Sequence, residues 1–165
     1  TMTNADVATF VQHARAFCAF AEHAHRLDNE QRLVAARQHL ADLLSAGLRL
    51  PDAAPSMSAE QSELADAGFE ALLPANVKSN TWVGFDGVDG YAHPLELFDI
   101  SSAIGWGSLR DDVSDIYRDL RQGLAYWDQG FADDAVWSWR HSLGTHWGQH
   151  ASNALATLHE WISKV

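Results

Sequence analysis

His146 and His150 stand four residues apart in Thr145-His-Trp-Gly-Gln-His, a spacing that projects two imidazoles from one helical face. Upstream, Asp112, Asp115 and Asp119 follow Ser108 at helical spacing. Asp112 and Asp119 fall two turns apart at the edge of an apolar stripe formed by Leu109, Val113, Ile116, Leu120 and Leu124; Asp115 lies further out, within reach of both. Imidazole with carboxylate is a donor set for borderline divalent ions. One chemistry open to these residues is therefore binding of Zn²⁺, Mn²⁺ or Fe²⁺ through Asp112, Asp119, His146 and His150. An ion held this way activates water for hydrolysis. Gly148 and Gln149 occupy the middle of the His pair, so the H-E-x-x-H pattern is not met. The alternative is a buried polar network whose members satisfy one another and fix how two helices meet.

Arg140 sharpens the picture. Taken as one helix from Asp133 to about Ser163, with Gly144 and Gly148 as bends, the last segment has the stripe Val136, Arg140, Leu143, Trp147, Ala151, Ala154, Leu158 and Trp161. An unpaired charge in mid-stripe is very costly, so the expectation is that Arg140 crosses to Asp112, Asp115 or Asp119. Loss of such a pair by Arg140→Ala would cost about 3–5 kcal/mol. Trp139, His146 and His150 flank Arg140. The candidate binding patch is thus Asp112, Asp115, Asp119, Trp139, Arg140, His146, Trp147 and His150.

Four or five helices must position these groups. Thr3 or Asn4 caps a first helix to about Arg26, with Val7, Phe10, Val11, Ala14, Phe17, Cys18 and Ala21 inward. Asp28 or Asn29 starts a second, through Leu33, Ala36, Leu40, Leu43 and Leu44 to Gly47, and the short gap makes the two antiparallel neighbours. Pro51 to Pro55 is a break. Ser58 with Gln61 forms a capping box for a third helix to about Leu73. From about 75 to 107 the periodicity fails: five glycines, Pro94 and the aromatics Trp82, Phe85, Tyr91, Phe98 and Trp106 mark a long irregular excursion, packed down by its aromatics. Within it Thr81–Phe85 and Leu95–Phe98 could pair as a short hairpin. Ser108 then caps the clearest helix, which stops at Gly130. The sum is an all-α helical bundle, a single domain over residues 1–165.

Composition removes several functions. There are 22 acidic residues against 11 basic ones, a formal charge of −11, which offers no basis for holding nucleic acid or an anionic membrane. Cys18 is the only cysteine, so no internal disulfide forms, and its place on the first apolar stripe suits a small hydrophobe better than a reactive thiol. No basic n-region leads an apolar run, and no stretch of about 18 apolar residues occurs, so the expected location is the cytoplasm. Asp86-Gly-Val-Asp-Gly looks like a calcium loop but lacks the later ligands. Glu22 and His25 read as a surface pair. Phosphate-cradle and serine-hydrolase motifs do not occur.

Three blocks carry a resemblance: Gly107-Ser-Leu-Arg-Asp-Asp-Val-Ser-Asp-Ile-Tyr-Arg-Asp-Leu, Ala135-Val-Trp-Ser-Trp-Arg and Thr145-His-Trp-Gly-Gln-His. Together, over about 107–160, they resemble a bacterial family, domain of unknown function 5063. Leu50-Pro51 and Leu97-Phe98-Asp99 extend the likeness upstream. The resemblance implies a helical fold and no particular activity. The residues themselves favour a non-catalytic binding or interaction module that needs no cofactor. Its partner is a protein or a small molecule, and the seven tryptophans make a homo-oligomer a third option. The alternative is a divalent-metal-dependent hydrolase using the Asp row with His146 and His150, Arg140 steering an anionic group.

Overall fold

The computed structural model describes residues 5–56, 73–75 and 82–164. Helix α1, Ala5–His23, buries the seven residues of the expected stripe together with Phe20, and a 3₁₀ turn, Ala24–Arg26, ends it. Helix α2, Asn29–Gly47, opens on a full capping box. The Asp28 carboxylate accepts from the Gln31 amide at 2.8 Å, and the Gln31 side chain accepts from the Asp28 amide at 3.1 Å. Pro51–Ser56 is irregular, as two prolines dictate, and Ser56 donates through its amide and its hydroxyl to the buried Asp134. The helix expected from Ser58 to about Leu73, apart from Leu73 itself, and the capping residues Thr3 and Asn4 lie outside the described residues.

The irregular stretch contains the first correction. A hairpin is present, but strand β1 is Gly90–Pro94 and strand β2 is Ile104–Ser108, antiparallel with Ala92 opposite Trp106. Phe85 lies instead in the core beside Trp82, whose indole donates to the Ala21 carbonyl at 2.8 Å, and Leu95–Phe98 form the loop between the strands. The reason is steric. Side chains at Gly105 and Gly107 would collide with Leu95 and with the Tyr91 ring, so the true second strand carries glycines that hide its strand character.

Helix α3, Leu109–Asp128, starts where the Ser108 hydroxyl accepts from the Asp111 amide and Asp89 accepts from the Arg110 amide. It ends at Gly130, whose φ of +87° suits glycine. The second correction follows. The last segment is two helices, α4 (Ala132–Thr145) and α5 (Trp147–Lys164), broken at His146 with φ −148° and ψ −83°. The Leu143 carbonyl oxygen sits 2.0 Å from where a Cβ at Gly148 would be, so only glycine lets the chain turn back so tightly.

Helix α3 packs on α1, α4 and α5, while α2 packs on α1 and α5. The result is a predominantly helical structure: α1, α2, α5 and α3 close a four-membered ring, α4 lies along α3 and α5, and the small ribbon sits beside the start of α3. Phe10, Phe17, Leu40, Leu43, Ile116, Leu120, Trp139 and Trp147 fill the interior. Among the described residues no helix is long and apolar enough to cross a membrane.

Gly123 shows how tightly α3 and α4 meet. A Cβ there would lie 2.0 Å from Nε1 of Trp139, which donates to the Leu120 carbonyl. Helix propensity alone favours alanine by about 1 kcal/mol. We expect the opposite: Gly123→Ala should lower stability by about 1–3 kcal/mol in urea unfolding, through overpacking.

Candidate functional site

The seam between α3 and the start of α5 gathers the polar groups. Asp112, Asp115 and Asp119 follow one another along α3 on the face toward α5. His146 occupies the break before α5, and His150 stands one turn into it. Nδ1 of His150 lies 2.7 Å from Oδ1 of Asp112, and Nδ1 of His146 lies 2.8 Å from Oδ2 of Asp119. Ionised carboxylates only accept, so each Nδ1 carries the proton and donates. That leaves Nε2 as the ring atom able to take a proton or a metal ion. Nε2 of His150 is 3.5 Å from Oδ2 of Asp115, and the two imidazole centroids are 4.8 Å apart, edge to face.

Burial runs from one end of the cluster to the other. The Asp112 side chain is 4% exposed, Asp119 18% and His150 29%, whereas His146 is 47% exposed. Burial pushes the Asp119 carboxyl up, opposed by its bond to His146 and by the Trp147 backbone N–H, which it accepts at the start of α5. The Asp112 hydrogen bond holds His150 above the ordinary imidazole value, with burial pulling the other way and the charges of Asp115 and Asp119 adding to the rise. Three carboxylates thus face two imidazoles across this seam.

Sequence reasoning missed Tyr91. Its hydroxyl donates to Oδ2 of Asp112 at 2.6 Å, reaching the seam from strand β1. Burial raises its pKa, and so does the carboxylate it faces. The available signal was Gly107, which leaves room for the ring: a Cβ there would be 2.3 Å from Tyr91 Cζ.

Five of the eight candidates therefore converge: Asp112, Asp115, Asp119, His146 and His150. Three do not. Arg140 points away, its Nη2 2.6 Å from Asp52 Oδ1 and its Nη1 on the Leu50 carbonyl, with 40% of the side chain exposed. The wheel that placed it in the seam ran through the break at His146, which resets the phase between α4 and α5. Trp139 and Trp147 are fully buried core residues, their indoles donating to the Leu120 and Trp139 carbonyls. Within the converging set, the metal-donor atoms that lie within 4.8 Å of one another belong to Asp115, His146 and His150. Asp112 and Asp119 hold the far side of the rings.

The remaining motifs have structural partners. The Asp86 amide and carbonyl bond the Asn29 side chain, and both oxygens of Asp89 are taken by Ser108 and Arg110, so the calcium-like loop is a brace for α3. Glu22 accepts from Tyr117 at 2.7 Å. Burial pushes the Cys18 thiol up to about 12, which keeps it unreactive. These placements rank two substitutions. Asp112→Ala leaves the Tyr91 hydroxyl and the His150 N–H without their acceptor and should cost at least about 1–3 kcal/mol. Arg140→Ala removes a largely exposed pair and should cost below about 1 kcal/mol. Urea unfolding of both variants checks the order; the reverse order would place the anchor elsewhere.

No curated protein is significantly similar in sequence to the chain. Among solved structures, the crystal structure of protein BF1032 from Bacteroides fragilis is similar, with a TM-score of 0.65 at 22% identity over 94% of this chain and 90% of that one. The likeness is one of fold. The profile of the domain of unknown function DUF5063 matches residues 2–164, far beyond the three blocks that carry the resemblance in sequence. The chain belongs to the DUF5063 family.

Proposed function

We propose that the protein binds one divalent transition-metal ion through Asp115, His146 and His150. The observation that carries this reading is the orientation of the two imidazoles. Each Nδ1 is tied to a carboxylate of α3, and Nε2 of His150 is turned toward Asp115. A carboxylate behind a ligating histidine fixes its tautomer and increases its basicity, the usual outer arrangement of metal-binding histidines. Asp112 and Asp119 take that role here, and the Tyr91 hydroxyl holds Asp112 in turn. One donor atom of each residue lies within 4.8 Å of the others, and bonds of about 2.0–2.2 Å would draw them closer together.

Two nitrogens and one oxygen suit Zn²⁺, Mn²⁺ or Fe²⁺ rather than Ca²⁺ or Mg²⁺, which prefer all-oxygen shells. Three protein donors, not four, favour a second reading in which the ion activates a water for hydrolysis. Arg140 has no part in it, since it faces Asp52. The Asp/Arg/His/Trp interaction patch loses its tryptophans to the core in the same way, so a protein-binding role needs a different surface.

Protein prepared without a His tag and stripped with EDTA should take up one Zn²⁺ or Mn²⁺ per chain by calorimetry. At ligand about 100-fold above Kd, the gain of about 2.7 kcal/mol should raise Tm by roughly 5–10 °C. Asp115→Asn with His150→Gln should abolish uptake, and Asp112→Asn or Asp119→Asn should weaken it about 10–100-fold. His141→Gln, on α4 and stacked on Trp137, should change nothing. A Tm indifferent to Zn²⁺, Mn²⁺ and EDTA would overturn the reading.

A further inference from the structure

The ribbon has two unlike faces. Along β1, Tyr91 and His93 turn inward, and Gly105 does so on β2. The outward positions are Ala92 and Pro94, paired across the register with Trp106 and Ile104. An antiparallel pair that rests on a protein by one face ordinarily carries polar residues on the other. This outer face is apolar throughout. At its tip the loop Leu95-Glu96-Leu97-Phe98-Asp99-Ile100 continues the character, with Phe98 and Ile100 completely exposed and Trp106 80% exposed. Ten large apolar side chains are exposed among the described residues, and six of them lie between 95 and 106, so the feature belongs to this one element.

The tip is tied together by its own polar groups. The Glu96 amide donates to the Ser102 hydroxyl at 2.8 Å, and the Asp99 carboxylate accepts from the Ser101 amide and hydroxyl at 2.9 and 2.7 Å. The Leu95 and Ser102 amides donate to the Ala103 and Asp99 carbonyls. A loop fixed in this way has little further freedom to lose on binding. The same element is acidic. Residues 82–108 carry four acids and neither lysine nor arginine, and Lys164, which shares a cavity with Ala92 at the ribbon's base, is paired with Glu160. Glu96 and Asp99 are interleaved with the exposed apolar residues of the tip. The bonds from Ser101 hold the Asp99 carboxyl below the usual carboxylate range, so its charge persists into mild acid.

We propose that the outer face and tip of the ribbon bind a cationic amphipathic segment of another protein, a helix whose apolar stripe is flanked by lysine or arginine. The exposed apolar side chains take the stripe, as helix faces do on apolar surface elsewhere. Glu96 and Asp99 meet the flanking charges. Charge decides among the candidate occupants. A second copy brings a formal −11 against −11, and a nucleic acid or an anionic bilayer brings phosphate to an element without lysine or arginine. A cationic segment is attracted by Glu96 and Asp99 at contact and by the acidic chain as a whole at longer range, which speeds encounter. Phe98 and Trp106 supply the aromatic anchors on which such contacts turn. The proposal uses no residue of the Asp/His cluster and stands apart from the metal reading.

The test is calorimetry of the full chain with a synthetic leucine–lysine amphipathic helix of roughly 18 residues. Two controls accompany it, one with glutamate for lysine and one with serine for leucine. The leucine–lysine peptide should bind, and its Kd should rise about tenfold between about 50 and about 500 mM NaCl. Either control should bind at least about 30-fold more weakly. Phe98→Ser with Trp106→Ser should weaken binding roughly 30-fold or more. Glu96→Gln with Asp99→Asn, which keeps the oxygen that accepts from Ser101, should weaken it about 3–10-fold and flatten its salt dependence. Both variants should keep the parent Tm, because these side chains lie outside the core. If the aromatic variant proves unstable, Ile100→Ser gives the same readout. Peptide binding that the variants leave unchanged is general attraction to an acidic protein and would overturn the proposal. No binding by the parent chain, or equal binding of the glutamate peptide, would overturn it too. So would uptake of the chain by phosphatidylcholine vesicles in place of the peptide, or a mass of two chains by light scattering that the aromatic variant abolishes.

Discussion

A carboxylate that is nearly inaccessible to water must find donors or lose its charge, and Asp112 is the point where this constraint organises the molecule. It sits in the first turn of α3, its side chain 4% exposed, and its two oxygens are taken by groups from two other elements. Tyr91 comes from the ribbon and His150 from α5. The ribbon is tied to α3 again where β2 runs into it and Asp89 accepts from the Leu109 and Arg110 amides. Isolated two-stranded ribbons are marginal in water, so the Tyr91 bond bears directly on whether this one holds its place. Two turns along, Asp119 repeats the device: it accepts from His146 and from the Trp147 amide, fixing the break between α4 and α5.

The helices were legible because their apolar positions recur at the helical period and their caps are strong. Asp28, one of two candidate caps, and Ser108 with Asp111 mark starts that the structure keeps. Placing Asp112, Asp115 and Asp119 opposite His146 and His150 also survives, since His150 and the break residue share the start of α5. Arg140 was misplaced because it lies before that break. The cue was Gly148, where α-helix propensity and the steric demand of the Leu143 carbonyl point the same way, but a lone glycine does not say whether a helix bends or ends. The ribbon was hidden for a different reason. Its second strand, Ile-Gly-Trp-Gly-Ser, violates strand preference so that Tyr91 and Leu95 can cross it, and only the neighbours explain the glycines.

The cluster is first a polar network that joins two helices. The imidazole Nδ1 protons satisfy carboxylates that are largely buried. The bonds that close it are made through Nδ1 only. The bond from Nδ1 to Asp112 orients the His150 ring so that Nε2 lies 3.5 Å from Asp115, a carboxylate nearer the surface. At its outer end Nε2 of His150 faces an oxygen of Asp115, in a chain that is strongly acidic as a whole.

The ribbon joins this chemistry to the outside. Its inner face is held by Tyr91 on Asp112, and alternation along a strand then forces Ala92 and Pro94 to the opposite side, with Trp106 and Ile104 across from them. A one-residue slip of β1 against β2 would turn Tyr91 outward, breaking the bond to Asp112, and carry Ala92 and Pro94 to the inner face. The hydrogen bond at the seam therefore sets which face of the ribbon meets solvent. Any rearrangement around Asp112 strong enough to release Tyr91 would act on that face as well, through five residues of strand and no intervening hinge.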